Sequence, residues 1–167
     1  MNRSLLDTIL VSGLTNRGET GMRACEGHIG RVFMLRLDDG DMIPSCIERF
    51  AEDKNIRTGQ VVLVGGIGGG DVVAGPRDSV TMPPEPMLVP LDGAHEVVGV
   101  GVIAPGQDGK PVLHIHAALG RAGHAVAGCL RPGVVTWLVG EAIIYELTGI
   151  RAERNPDSKS GFTLLEI

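Results

Sequence analysis

Leu113-His114-Ile115-His116-Ala117-Ala118-Leu119-Gly120, followed by Arg121-Ala122-Gly123-His124 and Ala125-Val126-Ala127-Gly128-Cys129-Leu130, is the stretch on which the fold turns. Side chains alternate along a strand, so His114 and His116 share one face while Leu113, Ile115, Ala117 and Leu119 take the other. Arg121-Ala122-Gly123-His124 reads as a hairpin loop that pairs Gly120 with Ala125. Antiparallel counting then sets His116 opposite Cys129 and His114 opposite Arg131. Directly opposed residues have Cβ atoms ~5 Å apart, close enough for two side chains to share an ion. His114, His116 and Cys129 therefore form a candidate His2Cys metal set, of the kind that holds zinc and leaves a fourth position for water or a small ligand. A one-residue slip would carry Cys129 to the opposite face, so the reading depends on register. A His-x-His strand also suits two polar residues facing solvent, and Cys129 suits a small buried hydrophobe.

Working outward, Arg31-Val32-Phe33-Met34-Leu35-Arg36-Leu37 predicts a strand ended by the turn Asp38-Asp39-Gly40. A helix is expected next, with Asp41 as N-cap and Ile43, Ile47, Phe50 and Ala51 on its apolar face. Beyond it the chain reads as β: Gln60–Val64, Asp71–Ala74, Met87–Pro90, His95–Ile103, Pro111–Leu119, Ala125–Arg131, Val134–Tyr145 and Phe162–Glu166. One early helix and many strands point to an α+β domain with a curled, mainly antiparallel sheet. Residues 1–22 read as a leader or arm, and 23–167 as the domain.

Gly65-Gly66-Ile67-Gly68-Gly69-Gly70 follows a strand and invites a phosphate-loop reading. A Walker loop needs Lys and Ser/Thr at its end, where Asp71 stands, and a Rossmann loop must open a helix, where Asp71–Gly75 reads as a strand. A tight strand-to-strand bend is the expected role.

The bulk numbers bound the function. At 167 residues with 43% hydrophobic and 3% aromatic content, the chain is expected to bury one core of Val, Ile, Leu and Ala. A formal net charge of −5 argues against a broad phosphate-binding surface. Three widely spaced cysteines suit reduced thiols in a cytoplasmic protein rather than a disulfide framework. No apolar run approaches the ~20 residues that cross a bilayer, and Met1–Leu14 lacks the pattern of a secretory signal. Glu96 and Glu141 lie in expected strands; facing inward, each could orient a ligand imidazole or act as a base on metal-bound water. His124 is a weaker ligand candidate in the hairpin loop, and His28 and His95 have no partner that spacing can place.

Together these segments resemble the plant and prokaryote conserved (PPC) domain. The resemblance rests on Gly30–Leu37, Phe50-Ala51-Glu52, Val64–Gly68, His95–Gly101, Leu113–Ala117, Val139–Ile144 and Ser160-Gly161-Phe162. It implies a strongly bent antiparallel sheet with one main helix, assembled as a homotrimer. It also implies a zinc site of three histidines, two from the His-x-His strand and one from a Gly-Gly-His-Leu segment. Here that segment is Ala127-Gly128-Cys129-Leu130, so His114 and His116 carry over and Cys129 stands for the third histidine. Prokaryotic members are described as predicted DNA-binding proteins, while plant members add an Arg-Gly-Arg-Pro core that is absent here. The leading expectation is a zinc-binding homotrimer with a ligand-binding or regulatory role. The alternatives are a DNA-binding regulator and a small metalloenzyme using metal-activated water.

Overall fold

The computed structural model describes residues 21–167, so nearly all of the segment read as a leader lies outside the described residues. The elements run β1 (His28–Asp38), β2 (Met42–Ile43), α1 (Ser45–Asp53), β3 (Gly59–Gly69), β4 (Asp71–Pro76), β5 (Pro86–Pro90), β6 (His95–Pro105), β7 (Pro111–Arg121), β8 (His124–Leu130), β9 (Val134–Thr148), β10 (Glu153–Pro156) and β11 (Thr163–Glu166). Nine strands form one sheet in the order β1-β9-β3-β6-β7-β8-β4-β5, with β2 added on β9, and β10 and β11 form a separate pair. Every pairing is antiparallel. Mainly antiparallel sheet with one short helix among the described residues is the α+β architecture expected. None of the described helical residues forms a span long and apolar enough to cross a membrane.

Period-2 alternation decides which face is core. Along β7, Leu113, Ile115, Ala117 and Leu119 are buried while His114, His116 and Ala118 are exposed. The inward residues of β3, β6, β7 and β9, among them Val61, Leu63, Ile103, Ile115 and Ile144, join Ile47 and Ala51 of the helix in one cluster. Burial of such side chains contributes ~1.5–3 kcal/mol each. Glu48, on the same helix, accepts the Leu113 N–H at 2.8 Å and so ties α1 to the start of β7.

The helix differs from expectation at its start. Asp41 does not cap it; its carboxylate accepts the Asp38 N–H at 2.9 Å and closes the preceding turn. Met42 and Ile43 instead pair with Val135 and Val134 of β9, and helical residues begin at Ser45 after Pro44. Pairing with β9 outweighs the local capping signal. Strand β10 was not foreseen either, because Glu-Arg-Asn-Pro shows no apolar alternation.

The glycine run is mostly strand. Strand β3 continues through Gly69, with bulges against β9 after Gly65 and Ile67, and the chain turns into β4 at Gly70. Gly65 sits at φ +129°, and a Cβ there would lie 2.5 Å from the Val139 carbonyl oxygen. No helix opens behind it, so the phosphate-loop geometry is not formed.

Arg31 and Glu146 clamp β1 to β9 at 2.7 Å. Hydrogen bonds from the Arg31 side chain, and then from its backbone N–H, hold the Glu146 carboxyl down at about 2 against an ordinary 4.5. The guanidinium is half exposed, so solvent screens the pair. That contribution is complete above the unfolded-state value and is lost as pH falls from 4.5 toward about 2. Urea unfolding should therefore show wild type more stable than Glu146→Gln at pH 7, with the gap closing in that acid window. A gap that stays constant to pH 2 would refute the assignment.

Candidate metal centre

Strand β7 lies between β6 and β8, and the β7–β8 hairpin sets the site. Its loop is two residues, Ala122 and Gly123, with φ of 50° and 81°, the left-handed pair of a type I′ turn. Arg121 and His124, assigned to the loop from sequence, are the last pair of the ladder. The register is the one counted: Gly120 faces Ala125 and His116 faces Cys129. The count fails two residues further on: the β7–β8 ladder ends at that pair, and β8 itself ends at Leu130, before Arg131. The outer edge of β8 is taken by β4, with Val73 opposite Cys129. Gly128 permits this: a Cβ there would collide with the Val73 carbonyl oxygen.

His114, His116 and Cys129 come together on the outer face of the sheet, one ligand atom of each within 4.8 Å of the others. The two Nε2 atoms stand 3.1 Å apart and the rings meet edge to face at 4.9 Å between centroids. Four ligands around zinc sit ~3.3–3.6 Å from one another at normal bond lengths. The group is thus close to ligand spacing already. One proton at most can lie between two imidazole nitrogens at that distance, so the pair presents at least one free lone pair. The donor set suits a borderline-soft ion.

The electrostatics agree with ligand chemistry. Burial first, then the charges of Arg154, His116 and Arg131, pushes the His114 imidazole below its ordinary value, which favours the neutral, coordinating form. Burial pushes the Cys129 thiol up, with Arg131 and Arg154 acting in the opposite sense. A bound cation would take the thiol to thiolate.

The other sequence candidates lie elsewhere. Glu96 shares the outer face but pairs with Gly120, four residues along β7 from His116, or ~13 Å at the strand rise. It lines a separate smaller hollow with His95 and His124. Glu141 stands opposite Arg36 and Val64, three strand spacings or roughly 14 Å from β7. Neither reaches the His2Cys group. His124 is exposed, and the His95 ring bonds the Gly93 carbonyl at 2.8 Å.

A cavity of about 1280 Å³ opens beside the three residues. Its walls are the outer face of β6–β8, the segment joining β4 to β5, and the β10–β11 hairpin. Sequence reading missed that hairpin's contribution, Arg154, whose segment carries no periodic signal.

A model of the Plants and Prokaryotes Conserved (PCC) domain matches residues 24–148. The chain belongs to that family. The match stops short of β10 and β11, so the likeness seen at Ser160-Gly161-Phe162 lies beyond it. Among solved structures, a metal-containing protein of Archaeoglobus fulgidus is 27% identical, with 87% of this chain and 100% of that one covered at a TM-score of 0.76. A PPC protein of Pyrococcus horikoshii is 24% identical, with coverage of 85% and 95% and a TM-score of 0.72. A candidate DNA-binding protein of Bacteroides thetaiotaomicron is 20% identical, with coverage of 83% and 94% and a TM-score of 0.68. The last two show the family fold alone. No curated protein matches.

Proposed function

We propose that this PCC-domain chain holds one zinc ion per subunit through His114, His116 and Cys129, as a homotrimer with a ligand-binding or regulatory role. The observation that carries the reading is the convergence of two imidazole Nε2 atoms and a thiol on one sheet face, at near-ligand spacing. The metal-containing description of the A. fulgidus relative supports it. Zinc would supply a Lewis-acidic position facing the cavity, open to water or to one donor atom of a ligand. Two imidazoles and a thiolate complete three of its four sites. The test is elemental analysis of protein purified without added metal: about one zinc per chain is expected, and a content near zero would remove the reading.

Self-association has its own support. Outside the cavity the outer face carries Val32, Met34 and Val64 exposed at 56, 80 and 43%. Leu138 is held at φ 58° with its side chain 59% exposed. Exposed large apolar side chains of this kind mark an interaction surface. Light scattering on the eluting protein should give three times the mass of one chain, and a single-chain mass would contradict the trimer.

The other two readings have less behind them. Metal-assisted hydrolysis loses the two bases expected for it, since Glu96 and Glu141 are remote from the group. DNA binding has a net charge of −5 against it; a gel shift at ~50 mM salt, where phosphate contacts are strongest, would reveal it.

A further inference from the structure

We propose that the cavity beside the His2Cys group takes a small organic carboxylate, with Arg154 as the residue that holds its head. The inference goes beyond the metal reading and does not require the ion, because Arg154 is not one of its three proposed ligands.

Arg154 is 5% exposed, yet it has no ion pair among the described residues. Its Nη2 donates to the Val102 carbonyl at 3.1 Å, while Nε is buried with no hydrogen-bond partner at all. A guanidinium withdrawn from water without a counter-charge is expensive, and natural proteins seldom leave one so. The carboxylates that line the same cavity are already engaged. Glu48 accepts the Leu113 N–H, and Asp78 accepts the N–H groups of Val80 and Thr81. Arg131, on the rim, adds a second cation in a protein whose net charge is negative. The cavity thus has in its wall a guanidinium with no counter-charge and an incomplete set of hydrogen bonds, which is the complement of an oxyanion.

The walls decide between a bare anion and an organic one. Val98, Val100, Ala118, Phe162 and Leu164 line the cavity, whose volume of about 1280 Å³ far exceeds what an inorganic anion fills. Apolar walls with a few convergent polar groups suit a ligand with an apolar body and a charged head. Carboxylates bind Arg through charge-assisted hydrogen bonds, which are the stronger class.

The test is calorimetric titration of octanoate, 1-octanol and inorganic phosphate into zinc-loaded and chelator-treated protein. Octanoate should bind wild type at least ~10-fold more tightly than 1-octanol, as expected for a hydrogen bond to a charged group. Arg154→Gln should erase that preference, and Arg131→Gln on the rim should reduce it by a smaller factor. Equal binding of octanoate and 1-octanol, or a preference that survives in R154Q, would overturn the proposal. Phosphate matching octanoate would overturn its organic part. Should R154Q fail to fold, the Arg154 Nε–H resonance in wild-type protein decides instead. Movement with octanoate and not with 1-octanol supports the assignment; a resonance that moves with neither overturns it. Zinc content of the same samples reports separately on the metal. A protein that prefers octanoate but holds no zinc keeps this inference and loses the metal reading, and the converse result does the reverse.

Discussion

Alanine at His116 is expected to lower bound zinc from about one per chain to below ~0.1, because it removes one of three protein ligands from a site that needs all of them. His114→Ala should do the same. Cys129→Ser should weaken binding without changing the fold, since a serine hydroxyl is a far poorer zinc ligand than a thiolate but occupies similar space. All three residues lie at least partly exposed on the outer face, so the metal-free variants should be as stable as metal-free wild type within about 0.5 kcal/mol. The zinc-loaded proteins should differ sharply. An ion present at a thousand times its dissociation constant stabilises the folded state by about 4 kcal/mol, and the variants lose that difference. Elemental analysis and thermal melts with and without chelator read both effects. Variants that retain zinc, or a wild type whose melt ignores the chelator, would count against the site.

One residue away, the opposite outcome is expected. Ile115 lies between the two histidines but points inward and is fully buried in the main core cluster. Truncation to alanine removes methylenes and leaves a cavity, at a cost of roughly 3–4 kcal/mol. That is a large share of the 5–15 kcal/mol that holds a typical domain together. Ile115→Ala should therefore unfold at much lower urea yet bind zinc at full stoichiometry under native conditions, because its neighbours' positions are set by the β6 and β8 ladders. The contrast between positions 115 and 116 is a direct test of strand alternation. If Ile115→Ala loses zinc while keeping its stability, the two faces have been assigned the wrong way round.

The parts of this molecule legible in its sequence are those governed by local periodicity. The alternation along Leu113–Leu119 assigned each side chain to a face, and counting back from the Gly120–Ala125 pair set His116 opposite Cys129 even though the loop is two residues shorter than read. The count erred two residues later, at His114 and Arg131, because periodicity does not show where β8 ends, and it ends at Leu130. Asp41 carried a genuine capping signal, but Met42 and Ile43 gain more by pairing with β9 than the helix gains from another turn. Arg154 was invisible for a different reason. Its segment is polar, short and ends at a proline, and its burial comes only from how β10 lies near β6. Glu96 and Glu141 were placed correctly in strands, but a strand assignment gives no distance between sites on different strands. Register along the adjacent strand put Glu96 ~13 Å from His116, and strand order put Glu141 roughly 14 Å from β7; both are long-range properties.

Anomalous scattering at the zinc edge, from crystals of protein grown without added metal, tests the central claim most directly. The account predicts one peak per chain, ~2.0–2.1 Å from His114 Nε2 and His116 Nε2 and ~2.3 Å from Cys129 Sγ, on the wall of the cavity that holds Arg154. A crystal with no peak between those three atoms, or with its zinc bound elsewhere, would contradict it.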